Sequence, residues 1–467
     1  MAVAAVFATV ALGCGAKGTD TSKGDESPAS TAAGGSASGA GKFGTLDSPC
    51  GKAPSGKTVS IAAGEDGGSA TKLRLGVASD KTADIRPGLL KELYDTGVTF
   101  TEWCNAQGGI AGLPIELVDL DGKLLSVEAA MTTACHGVFA MVGGGFAQDN
   151  LIFSGKDSSD FHKCKLIAFP GFAVSTAFSE ANGVIQPLPN PAYKKSNGFW
   201  QDLQEKYPEE VKKTAAVFGD LPSLRVNKDG NKAVAATVPG FNYVVDIPFN
   251  PLSQDWSLIA QQVVQEGVTA VNFVGEPEGM SGFVAKLKDQ NWKGVIFADA
   301  NQYDPKLFSA GPDLAEGVVI RLATHMFEEA DEYPAIQQYV DIMKKDPNRK
   351  IASLGIQGWS AWLLFATSVN KCIDSSGGEI SRKCVIEAGK TITSWDGGGL
   401  HAEANPGENL PPECAMAAVA DKGAKFSRLF PKEGDPTFKD GFSCRDNSIV
   451  DVTGDFGKGN IDPSLGY

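Results

Sequence analysis

Leu73-Arg74-Leu75-Gly76-Val77-Ala78 alternates and runs into Ser79-Asp80, the pattern of a buried strand that ends in a loop. Beyond that loop Leu89, Leu90, Leu93, Val98, Phe100 and Trp103 recur at helical spacing. The run ends at Asn105-Ala106-Gln107-Gly108-Gly109, whose glycines suit a helix C-cap. Ile115-Glu116-Leu117-Val118-Asp119-Leu120-Asp121 then reads as a second strand. A strand–helix–strand unit this short implies parallel strands joined by a right-handed crossover, and such sheets hold ligands beyond the carboxyl ends of their strands. Ser79, Asp80 and Asp121 therefore fall on the edge where a site is expected.

The alternation continues outward. Residues 127–135 read as helix, 138–142 as strand, 150–161 as helix and 165–169 as strand. The character changes at Asn190-Pro191, where the chain is expected to cross to a second lobe. That lobe takes helix 196–206, strand 214–218, helix 223–237, strand 243–247, helix 256–266, strand 270–274, helix 281–290 and strand 294–298. From about Leu322 the chain returns to the first lobe, with helices over 334–344 and 355–372. Beyond Trp395 a Gly/Pro-rich loop precedes strand-like 416–419 and 426–429, and the polar, Gly-rich tail after Cys444 is expected to be loosely ordered. A chain of 467 residues is too long for one ordinary domain and suits two lobes, each with its own core.

The net charge of −14 argues against nucleic acid or an anionic lipid surface as a partner. Residues 1–12 are almost wholly apolar, too short to span a bilayer, and lead to Ala11-Leu12-Gly13-Cys14. This is similar to a lipoprotein signal, in which the cysteine becomes diacylated after cleavage. Ala11 stands where leucine is usual and no Lys or Arg precedes the apolar run, so a true start upstream of Met1 is expected. Residues 15–46, rich in Gly, Ser, Ala and Thr, cannot offset the entropy of ordering and read as a flexible linker.

Setting Cys14 aside, Cys50, Cys104, Cys135, Cys164, Cys372, Cys384, Cys414 and Cys444 remain. No CxxC occurs and histidines are few, so disulfides in an oxidising compartment are the better reading than zinc or any other metal site. Eight cysteines allow 105 connectivities. Topology suggests one of them. Cys135 and Cys164 each end a helix before neighbouring strands, Cys372–Cys384 and Cys414–Cys444 close local loops, and Cys50 is left for Cys104.

Catalytic constellations are missing from the sequence. Gly358-Trp359-Ser360-Ala361-Trp362 lacks the second glycine of a nucleophile elbow, and no Lys-Ser/Thr follows Gly143-Gly144-Gly145 to make a phosphate loop. Glu276 and Glu278 could serve as paired acids, but carboxylates on a strand-end loop are commoner as solvated or ligand-orienting groups. A binding protein without cofactor is expected rather than an enzyme.

"WCNAQGGIAGLPIELVDLD", residues 103–121, resembles the N-x-x-G-G-I-x-G-x-x-I-x-L-x-x-x-D segment of the branched-chain amino-acid-binding type of ABC-transporter solute-binding proteins. Five further pieces follow in the family's order: Val142-Gly143-Gly144-Gly145, "IAFPGF" from Ile167, "NQYDPKLF" from Asn301, "EGV" from Glu316 and "GWSAWLLFATSVNKC" ending at Cys372. The resemblance extends from about Leu73 to about Pro431. It implies an α/β fold of two doubly wound parallel-sheet lobes joined by a three-stranded hinge, the type I periplasmic-binding-protein fold. Residues 47–190 and 323–405 would form lobe 1, residues 191–322 and 406–452 lobe 2, and 453–467 the tail. It also implies capture of a small molecule by hinge closure, recognition of the closed form by ABC permease subunits, and a monomer held to the membrane by its lipid alone.

Strand ends then nominate the cleft: Ser79 and Asp80; Phe146, Ala147 and Asp149 after Gly145; Phe172, Ala173 and Ser175; Asp220; Glu276; and Asn301, Gln302 and Tyr303 after Asp299. Amino-acid binders of the family hold the ligand's carboxylate with two hydroxyl residues and its ammonium with an acid. The matching places here are Ala147, Ala173 and Ala300. The lost charge-assisted hydrogen bonds are worth about 1.5–3 kcal/mol each. An apolar or aromatic ligand is therefore expected in place of an ordinary α-amino acid. The alternatives are branched-chain amino-acid binding, or ligand sensing at the surface without transport.

Overall fold

The computed structural model describes residues 41–65, 67–150 and 160–467. In the first lobe, β1 (Leu73–Ser79), α1 (Lys91–Ala106), β2 (Ile115–Asp121), α2 (Val127–Gly137), β3 (Ala140–Val142) and β4 (Ala168–Phe169) follow one another. The four strands are all parallel and lie in the order β2-β1-β3-β4. Six of the seven residues of β1 are buried, as a strand covered on both faces by helices requires. Strand β4 starts three residues later than the apolar pattern suggested, because Lys165 adopts a positive φ of 52° that extended backbone does not allow. The helix expected over 150–161 lies largely outside the described residues.

The second lobe contains α3 (Gly198–Lys206), β5 (Thr214–Gly219), α4 (Pro222–Ala235), β6 (Tyr243–Phe249), α5 (Trp256–Gln265), β7 (Ala270–Val274), α6 (Pro277–Asp289), β8 (Val295–Ala298) and β9 (Val319–Leu322). Helix α6 begins four residues before the expected start, since Pro277 occupies the first turn, where its missing N–H costs nothing. The chain then returns to the first lobe as α7 (Pro334–Met343), α8 (Ser353–Ser376) and α9 (Arg382–Lys390), the last of which had no sequence expectation. It comes back to the second sheet as β10 (Cys414–Asp421), β11 (Lys425–Phe430) and β12 (Phe442–Cys444). Strands β6-β5-β7-β8-β9 are parallel; β10 joins β9 antiparallel and carries β11 and β12.

Helix α8 is the spine of the first lobe. Trp359, Trp362 and Phe365 are fully buried, and Phe100 of α1 stacks on Trp362 at 5.3 Å. The glycine turn after β3 lets both this helix and β1 approach closely. Gly143 has φ 70°, and a Cβ on it would stand 2.1 Å from Trp362 Nε1, while one on Gly144 would stand 2.2 Å from the Ala78 nitrogen. None of the described helices is long and apolar enough to cross a membrane. Disulfides join Cys50 to Cys104, Cys135 to Cys164, Cys372 to Cys384 and Cys414 to Cys444.

Two expectations from composition need correction. Residues 41–46 belong to the folded lobe: Lys42–Phe43 pairs with Leu46–Asp47, and Phe43 is fully buried against Trp359 at 5.4 Å. The tail is docked and not loose. Ile449–Asp451 pairs with Lys194–Ser196 across the crossing segment, Phe456 is 2% exposed, and Asn182 of the first lobe donates through Nδ2 to the Asp462 and Tyr467 carbonyls. One buried aromatic and a few backbone hydrogen bonds suffice to fix a segment whose composition is otherwise polar.

Candidate functional site

A cavity of about 240 Å³ opens where the loop after β4 meets α4 and the loops after β7 and β8, with the crossing segments behind it. Phe172, Val174 and Leu354 from the first lobe face Phe199, Trp200 and Leu224 from the second. A side recess of about 30 Å³ shares Phe172, Val174, Leu224 and Leu354 and reaches Ala147.

The cavity's acids are already engaged within the protein. Asp299, just after β8, pairs with Arg321 of β9 at 2.7 Å and accepts from Asn231 Nδ2 of α4 at 3.1 Å. The Arg321 guanidinium lies 4.7 Å over the Trp200 ring, which fixes it sideways along the wall. Glu276, the residue before α6, pairs with Arg86 of the first lobe at 2.6 Å. Lys195 also lines the cavity, and its ammonium donates to Asn190 Oδ1 at 2.7 Å. Burial first, and the nearby Arg321 charge second, push the Lys195 pKa down to about 8.

The two lobes touch across the mouth of the cleft. Arg86 reaches both Glu276 and Glu278. Ser223 Oγ, in the first turn of α4, donates to the Ala147 carbonyl at 2.8 Å. Lys350 bridges Glu92 of α1 at 2.8 Å and Asp304 of the second lobe at 2.7 Å. Desolvation lowers the Arg86 pKa, yet the Glu278 charge opposes that fall, so the guanidinium stays protonated at neutral pH.

The residues nominated from strand ends separate into two groups. Phe172, Ala173, Glu276 and Asn301 line the cavity, and Ala147 lines the side recess, as do Phe172, Glu276 and Asn301. The other eight face elsewhere. Asp80 is fully buried and accepts from the Leu124 and Ala147 N–H groups, each at 2.7 Å, so it ties two loops together; burial raises its pKa. Asp149 accepts from Val174 N–H at 2.8 Å and Ser175 N–H at 3.0 Å, and burial pushes it up to about 6. Ser175 caps the short helix Thr176–Ser179 through Phe178 N–H. Ser79 and Phe146 are fully buried beneath the loops. Gln302 donates to the Gly275 carbonyl at 2.7 Å, and Tyr303 binds Glu328 and stacks on Phe327 at 5.3 Å. Asp220 pairs with Arg225 on the surface.

Sequence reasoning passed over Lys195, Trp200, Asn231, Arg321 and Phe456, all of which line the cavity. Lys194-Lys195 could have been noticed, because it stands beside the expected crossing at Asn190-Pro191. Phe456 was hidden in a tail read as loose.

Residues 73–424 match the family model for periplasmic binding proteins. The chain belongs to that family. Its fold is the type I periplasmic-binding-protein fold, shared with several solved structures. The fatty acid ABC transporter substrate-binding protein from Thermomonospora curvata superposes with a TM-score of 0.66 at 19% identity, covering 82% of this chain and 97% of that one. The leucine binding protein LivK from Thermotoga maritima gives a TM-score of 0.60 at 13% identity, over 77% of this chain and 98% of that one. The branched-chain amino acid transporter substrate binding protein LivJ from Streptococcus pneumoniae, solved in complex with isoleucine, gives 0.60 at 13%, over 77% and 100%. At such identities the likeness shows the fold alone. Among curated proteins none matches this chain. In this periplasmic binding protein the cavity occupies the carboxyl-end edge of both parallel sheets, where ligands of such sheets sit.

Proposed function

We propose that this periplasmic binding protein is the extracytoplasmic substrate-binding component of an ABC importer, and that it captures an apolar or aromatic small molecule between its lobes by hinge closure. An α-amino acid is not its ligand. A monomer tethered through acylated Cys14, which lies outside the described residues, would present the closed form to permease subunits. One observation carries the choice of ligand. Ala173 and Ala300 line the cavity and Ala147 its recess, without a hydroxyl among them, while Asp299 and Glu276 are already neutralised by Arg321 and Arg86. A zwitterionic ligand would find no free acid for its ammonium, and burying that ion unpaired costs several kcal/mol. The apolar wall of Phe172, Leu354, Phe199 and Trp200 suits a hydrophobic body. That one structural neighbour is a fatty acid transporter's binding protein is consistent with this chemistry on the same fold.

A thermal-shift series tests the reading. Leucine, isoleucine and valine are expected to leave the melting temperature unchanged, whereas an aromatic or long aliphatic compound raises it. Ligand at 100 times its dissociation constant should add about 2.7 kcal/mol to the folded form. Micromolar affinity for any of the three amino acids would overturn the proposal.

A further inference from the structure

The acids of the cavity have partners inside the protein, but one of its cations does not. Lys195 enters from the crossing segment Lys194–Ser196, with its stem beside Gly230 of α4; a Cβ built there would stand 3.7 Å from Lys195 Cε. Its ammonium has a single polar partner, the neutral Asn190 side chain. Among the described residues no carboxylate comes within 4.0 Å of it. Asp299, on the second lobe, is held by Arg321 and Asn231; Glu180, on the first lobe, accepts from the Ala192 N–H. Asp299 and Arg321 cancel, so Lys195 is a cavity cation without a carboxylate in contact, Asp299 and Glu180 acting on it only from farther off, and it stands beside the apolar wall of Phe199 and Trp200. Lys195 is half-buried, and an ammonium that gives up part of its hydration beside apolar side chains is repaid by an opposite charge. A lysine kept solvated for solubility alone would point outward, as its neighbour Lys194 does in pairing with Asp451 on the surface.

We infer that Lys195 is the anchor for the ligand's carboxylate, and that the ligand class is a monocarboxylate with an apolar body. This rests on the apolar-ligand reading above and narrows it. One ammonium with the amide of Asn190 beside it matches a single negative charge; a phosphate ester would keep part of its charge unpaired. With the carboxylate at Lys195, the body of the ligand extends along Trp200 and Phe199 towards Phe172 and the side recess.

Matched acids and amides test this directly. Isothermal titration calorimetry is run on the purified protein with octanoate and octanamide and with phenylacetate and phenylacetamide, on wild type, Lys195→Met and Lys195→Arg. The expected result is an acid binding about tenfold to a hundredfold tighter than its amide. Lys195→Met should abolish the preference for the acid over the amide, and Lys195→Arg should keep it. Equal binding of acid and amide by wild type, or a preference that survives Lys195→Met, overturns the anchor while leaving the apolar reading intact. Failure of every acid to bind overturns the inference too, and binding of leucine in their place removes the apolar reading with it. If Lys195→Met does not fold, the acid-to-amide ratio of wild type together with Lys195→Arg decides.

Discussion

Arg86 spans the mouth of the cleft, and its replacement by glutamine isolates what that bridge contributes to closure. The guanidinium is 21% exposed, with Glu276 34% and Glu278 35% exposed, so these pairs fall between a surface ion pair at about 0.2–1 kcal/mol and a buried one whose breaking costs about 3–5 kcal/mol. Screening by the adjoining solvent argues for the lower part of that interval, about 1–2 kcal/mol. In an open form Arg86 would be hydrated and the pairs lost, so Arg86→Gln should lower the ratio of closed to open by a factor of about 5–30. Apparent affinity falls by the fraction of the competent state that is lost. Glu278 retains Lys306, whereas Glu276 is left without a cation. A second change, Glu276→Gln, should therefore recover part of the loss, and the coupling is read from a double-mutant cycle. The assay is calorimetric titration of the best-binding compound, alongside small-angle scattering of the free protein. Affinity and radius of gyration both unchanged in Arg86→Gln would refute the claim that this bridge favours closure.

Other consequences are equally direct. Lys195 is flanked by Arg321 on β9, Asp299 after β8, Glu180 of the first lobe and Asn190 on its own segment, and its pKa near 8 means it is largely charged at pH 7 in the free protein. Affinity for a carboxylate ligand should hold from pH 6 to about 7.5 and then fall by about tenfold per unit above pH 8, as titration across that interval would show, while the amide's affinity stays flat. Arg382 donates to the carbonyls of Val138, Phe139, Cys164 and Lys165 at the bottom of the first sheet, so Arg382→Met strands several buried acceptors. A loss of about 3 kcal/mol is expected, which for a chain of this size lowers the melting temperature by about 3 °C. Phe456→Ala should cost a similar amount, since Phe456 is buried against Tyr193 at 5.2 Å, and should speed proteolysis of the tail.

The parallel strand–helix–strand unit of the first lobe was legible because its signals are local. Strand alternation in β1 and β2, helical spacing in α1 and the paired glycines after Gln107 fix a right-handed parallel unit without knowledge of anything distant. Strand β9 and helix α9 were missed, being short and bounded by no distinctive turn chemistry. Around the cavity, topology nominated several of the loops that line it but not which of their side chains face it. Within one strand-end loop Phe172 and Ala173 face the cavity, while Ser175, two residues on, turns away to cap a helix. Asp80 and Asp149 read as ligand-facing acids because strand-end carboxylates often are. Here they satisfy backbone N–H groups of neighbouring loops, a role set by three-dimensional placement. Lys195 and Phe456 come from segments that pattern reading treats as connectors, and connectors are where a two-lobed binder places groups close to its hinge.

A crystal structure of the protein with the compound of highest affinity tests the central claim most directly. The account predicts that compound between the lobes, its apolar body between Phe172 and Trp200 and any carboxylate within hydrogen-bond distance of Lys195 Nζ. A compound seated outside the cleft, or an α-amino acid held at Ala147, Ala173 and Ala300, would contradict it.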